Sequence, residues 1–159
     1  RWYPPGDARV TTQMLIDIAE KSGLIIPLGN WVITEACRRF QLWQEAGIKL
    51  ARMAINLSGE QFRRGDVVQT VQEALARYNM LPGHLEIEIT ESAMMLDEAR
   101  TLRALQQLRS LGVKVSLDDF GTGYSSLSYV HRFPVDVLKI DRSFVANVEH
   151  DEGSRAITM

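Results

Sequence analysis

Apolar residues recur along the chain in two patterns that alternate with each other. Spacings of three and four residues predict helices at 11–22, 67–78 and 98–111, the first with Ile18 on its apolar side and the other two capped by Asp66 and Asp97. A further helix is predicted with Asn30 as its cap and Ile33, Ala36, Cys37, Phe40 and Trp43 facing the core, after an apolar link at 24–28. Short apolar runs between turn residues predict strands at 52–57, 85–90, 114–119 and 137–141. We also expect a helical turn directly after strand 52–57, where Ser58 and Gln61 have capping-box spacing, a short helical piece at 124–131 and another helix from residue 149.

This alternation predicts βαβ units and a parallel sheet, so the fold class is α/β. Asn56, Glu88 and Asp118 stand near the ends of three predicted strands and are 32 and 30 residues apart, about one βα unit each. In open and closed parallel folds, functional groups gather at the carboxyl ends of the strands. We therefore expect strands 52–57, 85–90, 114–119 and 137–141 to be adjacent and parallel.

The predicted strand 85–90 alternates strictly between apolar and polar residues. Leu85, Ile87 and Ile89 form one face, and Glu86, Glu88 and Thr90 form the other. In an antiparallel sheet the polar face would meet water. In a parallel barrel the same residues would point inward, where a carboxylate needs a cation or a hydrogen-bond donor.

The composition is that of an ordinary globular chain of 159 residues, 45% of them hydrophobic and 24% charged. The 18 basic and 20 acidic residues nearly balance, which argues against DNA or an anionic membrane as a partner of the whole surface. The single cysteine, Cys37, excludes an internal disulfide and suits a reducing compartment. Its place on an apolar helix stripe favours a core residue over a nucleophile.

The stretch 114–127 carries the most informative chemistry. It begins as a predicted buried strand. Two adjacent carboxylates, Asp118 and Asp119, stand where that strand ends, and a glycine-rich loop follows them. Adjacent acids repel and are costly to bury without a nearby cation. A surface turn would explain the same residues, since Asp-Asp before Gly-x-Gly is good turn chemistry.

Oxygen donors dominate the predicted site. Asn56, Glu88, Asp118 and Asp119 favour Mg²⁺ or Mn²⁺ over zinc. Two such ions can clamp the attacking and leaving oxygens of a phosphate ester during hydrolysis. Lys139 would position the water or offset phosphate charge. The alternative is a structural lysine paired with Asp118, Asp119 or Asp141, and the residues alone leave both interpretations open.

Four ordered segments resemble the signatures of the EAL domain family. They are Asn-Leu-Ser-Gly-Glu-Gln at 56–61, Leu-Glu-Ile-Glu-Ile-Thr-Glu-Ser at 85–92, Asp-Asp-Phe-Gly-Thr-Gly-Tyr-Ser-Ser at 118–126, and Pro-Val-Asp-Val-Leu-Lys-Ile-Asp-Arg-Ser-Phe at 134–144. The family hydrolyses the bacterial messenger cyclic di-GMP to linear pGpG. The resemblance covers essentially the whole chain and implies part of a TIM-type (β/α)₈ barrel.

The resemblance also implies roles for individual residues. Asn56, Glu88 and Asp118 match family metal ligands, Asp119 matches the acid associated with a second metal, and Lys139 matches the lysine near the nucleophilic water.

Other matches lie around this set. Glu91 matches the glutamate that steadies the loop after Asp118-Asp119, and Arg1 matches an arginine that contacts substrate phosphate. The loop 120–128 resembles the one that couples the site to a dimer interface, with Phe120, Gly121, Thr122 and Gly123 at its start.

The resemblance further implies a single domain over 1–159 that is truncated at both ends. The Glu-Ala-Leu signature would precede Arg1, and a later metal-binding glutamate would follow Met159, beyond the fifth or sixth βα unit. A full barrel needs roughly 250 residues, so we expect these 159 residues alone to be inactive. The alternative is a silent module that binds cyclic di-GMP as a receptor or serves in dimerisation. We expect a cytoplasmic setting, either free or as the cytoplasmic part of a membrane-anchored bacterial signalling protein, together with a homodimer and fused sensor or GGDEF-type domains.

Overall fold

The computed structural model describes residues 10–121 and 132–149. Four strands are found there: β1 (Met53–Asn56), β2 (Leu85–Thr90), β3 (Lys114–Phe120) and β4 (Val137–Ile140). They form one parallel sheet in the order β1-β2-β3-β4. The predictions of an α/β fold and of four adjacent parallel strands are confirmed.

Helices precede and follow these strands. Within the described residues they are α1 (Thr12–Ser22), α2 (Ile25–Glu45), α3 (Gly59–Arg64), α4 (Val67–Arg77), α5 (Glu91–Met95), α6 (Glu98–Ser110) and α7 (Arg142–Asn147), with a 3₁₀ turn at Pro82–His84. Two begin at the predicted acids: Asp66 accepts the Gln69 N–H at 3.1 Å, and Asp97 accepts the Arg100 N–H at 3.1 Å. These caps start α4 and α6 directly after the preceding turns.

Side-chain alternation along the strands divides the sheet into two unlike faces. One face carries Ile55, Ile87, Ile89, Val115 and Leu117, all buried in the core together with apolar residues of α2, α4 and α6. The opposite face carries polar groups, because Glu88 pairs in register with Asn56 on one side and Ser116 on the other. The helices therefore pack on the apolar face, and the polar face carries the candidate site residues.

Two expectations about α2 are wrong. The stretch 24–28 is not a link, because α2 begins at Ile25 and passes through Asn30 as an interior residue. Pro27 falls in the first turn, where its missing N–H would have no helical partner anyway. Trp43 lies at the solvent side with 38% of its surface exposed, although Ile33, Cys37 and Phe40 are buried as predicted. Burial also raises the pKa of the Cys37 thiol to about 11, in keeping with a core residue.

Two short helices were not predicted. α5 has five residues and α7 has six, too few for an apolar repeat to mark them. The predicted helical piece at 124–131 lies outside the described residues, and so does the helix from 149 apart from Glu149 itself. In the described ranges, none of the helices combines the length and apolar character required to cross a membrane.

Candidate functional site

The carboxyl ends of β1 and β2 place Asn56 and Glu88 side by side. The two residues are register partners, and the Leu57 N–H donates to the Glu88 carbonyl at 2.9 Å as the chain leaves β1. Asn56 is exposed, whereas only 10% of the Glu88 side chain is exposed. A carboxylate this buried requires a cation or hydrogen-bond donors nearby.

Lys139 on β4 is that cation. Its Nζ forms an ion pair with Glu88 Oε1, so the lysine reaches across β3 to a residue 51 positions earlier in the chain. Burial opposes the charged ammonium, but the Glu88 contact and the charges of Glu88, Asp118 and Glu86 outweigh it and raise the pKa of Lys139. The structural partners considered from sequence were Asp118, Asp119 and Asp141, and that set is wrong because it omits Glu88.

The paired acids stand where β3 ends. Asp118 is the register partner of Thr90 and lies two residues beyond Ser116, on the face that bears Glu88. Asp119 follows with φ +53°, a left-handed conformation that is uncommon for a residue with a side chain. Its neighbourhood raises the pKa of Asp119 through partial burial and the charges of Asp118 and Asp141. The sequence prediction that Asn56, Glu88, Asp118 and Lys139 converge at one edge agrees with this geometry.

The structure describes three of the six remaining predicted site residues, Glu91, Phe120 and Gly121. Glu91 is the first residue of α5, with only 7% of its surface exposed, and Thr90 caps that helix by accepting the Ala93 N–H at 3.3 Å. Phe120 is buried and pairs with Ile140, while Gly121 has φ +99°. Arg1, Thr122 and Gly123 lie outside the described residues.

Of two further polar residues beside the site, Ser116 was missed and Asp141 was considered from sequence only as a partner of Lys139. Ser116 is fully buried next to Glu88, and its hydroxyl has no hydrogen-bond partner within residues 10–121 and 132–149. Asp141 caps α7 by accepting the Ser143 N–H at 2.9 Å, and it also acts on Asp119 through its charge. Strand alternation was the available signal, because Ser116 and Asp141 each stand two positions from a residue already assigned to the site.

The donor chemistry of this edge fits a hard divalent ion. Asn56, Glu88 and Asp118 offer amide and carboxylate oxygens on neighbouring strands. However, no three His, Cys, Asp or Glu side chains in the described part of the chain gather closely enough to form a metal site by themselves. An ion here would be bound by the Asn56 oxygen, by Asp118, and by Glu88 once its carboxylate has separated from Lys139. It would need further ligands besides these three residues.

A cleft of about 670 Å³ opens beside Asn56, within the size range of small-molecule sites. α1 contributes Gln13 and Glu20 to its wall, the residues just after β1 contribute Ser58, and α5 contributes Ser92. Apolar surface comes from Ile16, Leu57 and Leu96. The cleft thus combines hydrogen-bonding groups with apolar walls next to the polar edge of the sheet.

Comparisons with known proteins agree on one family. The sequence profile described as EAL domain matches residues 1–159. The bifunctional diguanylate cyclase/cyclic di-GMP phosphodiesterase MucR of Pseudomonas aeruginosa is 45% identical over 157 residues, which are 99% of this chain and 23% of that protein. The cyclic di-GMP phosphodiesterase NbdA of the same organism is 40% identical over 148 residues, covering 93% of this chain and 19% of that protein.

A solved structure extends the likeness to three dimensions. The PaMucR phosphodiesterase in complex with c-di-GMP superposes with a TM-score of 0.86 at 44% identity, covering 99% of this chain and 64% of that one. The prediction of an incomplete, EAL-like barrel is therefore confirmed at the level of the fold. The chain spans about a quarter or less of the length of the curated relatives it matches.

Proposed function

Because the chain belongs to the EAL domain family, we propose that the complete domain hydrolyses cyclic di-GMP to linear pGpG with the help of Mg²⁺ or Mn²⁺. The observation that carries the proposal is the ion pair between the buried Glu88 and Lys139, beside Asn56 and Asp118 at the carboxyl edge of the sheet. The substrate is suggested by the names of the relatives and by the c-di-GMP in the PaMucR complex.

The residues divide the work of a phosphodiester hydrolysis. Asn56, Glu88 and Asp118 would hold one divalent ion and Asp119 a second, and the ions would supply Lewis acidity and lower the pKa of water. The water oxygen forms the new bond to phosphorus as the bond between phosphorus and the ribose oxygen breaks. The proton released by the water is taken up by the leaving ribose oxygen, which becomes a hydroxyl group. Lys139 carries a positive charge to this edge, where it would orient the water and offset negative charge on the phosphate.

Supporting roles are proposed for residues that do not meet the reacting atoms. Glu91, buried at the start of α5, would steady the turn after β3. Arg1 would contact a substrate phosphate from outside the described residues. A homodimer coupled through loop 120–128, and fused sensor or GGDEF-type domains, remain predictions.

The decisive experiment measures product formation by the full-length gene product. We expect conversion of cyclic di-GMP to pGpG in Mg²⁺ or Mn²⁺, followed by chromatography, and loss of turnover in Glu88→Gln. Glu86→Gln is the matched control, since Glu86 lies on the same strand but pairs with Arg52 at 3.0 Å. Tight binding without any cleavage by the unmodified protein would instead favour the silent receptor.

A second experiment tests the metal ligands. Asp118→Ala should weaken Mn²⁺ binding at least tenfold in calorimetry, whereas Glu86→Ala should change it little. Glu86 lies on the same face of β2 as Glu88, two residues earlier, and is already paired with Arg52 at 3.0 Å. Equal losses in the two variants would mean that the acids act only as a diffuse negative patch.

A further inference from the structure

The chain makes an unusual turn at the end of β3, immediately after the paired acids. Asp119 and Gly121 both have positive φ, +53° and +99°, with the buried Phe120 between them. The pairing of β3 with β4 is also irregular between Leu117 and Phe120. A left-handed aspartate next to a register shift persists only where surrounding contacts hold it.

One such contact comes from α7. The Phe144 ring lies so close to Gly121 that a Cβ placed on the glycine would be 2.6 Å from Cε2 and 2.8 Å from Cζ of the ring. Real Cβ atoms do not approach other atoms this closely, so the ring occupies the space that any larger residue would need. Gly121 is required here for its positive φ and also for this close approach.

The Phe144 ring is itself anchored to the strands that carry the site. The backbone N–H of Phe144 donates to the Asp141 carbonyl at 3.1 Å, and the Asp141 N–H donates to the Phe120 carbonyl at 3.3 Å. The Asp141 side chain adds the cap on Ser143. The end of β3 is thus held twice by one short segment, through a backbone bond at Phe120 and through the aromatic ring at Gly121.

We propose that Phe144 is a positioning residue for Asp118 and Asp119, which it serves by packing its ring on Gly121. The inference rests on the proposed function, because it assigns these two acids to the metal-dependent step. Without the ring, the backbone after Phe120 gains freedom and the acids lose the fixed geometry that a metal site or a reacting phosphate demands. Phe144 acts through the backbone, so its loss should affect turnover more than substrate affinity.

The test compares variants of the full-length gene product under conditions where each is verified to be folded. Phe144→Ala should lower kcat for cyclic di-GMP cleavage at least tenfold, change KM less than threefold, and weaken Mn²⁺ binding measured by electron paramagnetic resonance at least threefold. Phe144→Leu should restore most of the turnover because it refills the space over Gly121. Val145→Ala is the control, since Val145 lies on the same helix with 57% of its surface exposed.

A double-mutant cycle isolates the contact itself. Gly121→Ala should lower kcat strongly in the wild-type background. In the Phe144→Ala background the same substitution should lower kcat by a several-fold smaller factor, because the ring that the new methyl would strike is gone. Additive effects, or an unchanged kcat per folded molecule in Phe144→Ala, would overturn the proposal. If the unmodified protein binds Mn²⁺ but cleaves nothing, the proposed function fails alone, and Mn²⁺ affinity in the same variants still decides this one. Absence of Mn²⁺ binding by the unmodified protein would overturn both.

Discussion

Replacing Lys139 by methionine removes the ammonium that neutralises Glu88 but keeps most of the side-chain stem. The Glu88 side chain is 10% exposed, so its carboxylate would be left largely buried and unpaired. Breaking a fully buried pair costs about 3–5 kcal/mol. Because 37% of the Lys139 side chain is exposed and water screens the pair, we expect a loss of about 1–3 kcal/mol in the free energy of unfolding.

A divalent ion should reverse this loss. Lys139 pairs with Glu88 when no ion is bound, so an Mn²⁺ ion that uses Glu88 as a ligand must displace Lys139. The Lys139→Met variant should therefore gain more stability from Mn²⁺ than the wild type does. Turnover should nevertheless fall about 10²-fold, since the ammonium no longer stabilises charge that develops during attack. Cyclic di-GMP binding should change much less, because that charge is absent from the ground state.

The assay is urea denaturation with and without Mn²⁺, together with single-turnover cleavage to pGpG. Lys114→Met is the matched control: Lys114 is similarly exposed, but its partner Asp136 also accepts the Val115 N–H at 3.1 Å and stays satisfied. The pKa of Lys139 is raised, so its stabilising contribution is complete at neutral pH and is lost only as pH rises through that raised pKa. The deficit of the variant should therefore be constant across neutral pH. An equal deficit with and without Mn²⁺ would refute the competition, and unchanged cleavage would remove Lys139 from the mechanism.

Three further predictions concern stability. Asp66→Ala should cost about 1 kcal/mol in urea denaturation and Asp66→Asn much less, because only the alanine loses the cap of α4; equal losses would contradict the capping role. Leu117→Ala, at a fully buried position of β3, should cost about 2–5 kcal/mol, against little for the exposed Leu81→Ala; a small cost would mean that the sheet face can collapse around the gap. Asp119→Asn should match or exceed wild-type stability at pH 7, since the pKa of Asp119 is raised and its ionisation beside Asp118 is unfavourable. That advantage should shrink as pH falls below the raised pKa and vanish only below the ordinary pKa of an aspartate, and a variant less stable than wild type at pH 7 would argue for a stabilising role of the charge.

Much of the fold follows from local pattern. The strict alternation at 85–90 predicts β2 residue for residue, and Asp66 and Asp97 predict the starts of α4 and α6. The spacing of Asn56, Glu88 and Asp118 predicts their meeting at one edge of a parallel sheet. Such features are predictable because strand period, capping and βα length depend on residues near one another in the chain.

Packing determined the rest. Ile18 and Trp43 belong to apolar helix stripes yet remain exposed, since a stripe shows which side is apolar but not whether another element covers it. Lys139 pairs with Glu88 rather than with an acid nearer in sequence, because the order of the strands brings the two side chains together across β3. The left-handed Asp119 and the Phe144 ring on Gly121 are likewise products of the assembled sheet. These contacts join residues far apart in sequence, and their geometry is set only when the strands have taken their places.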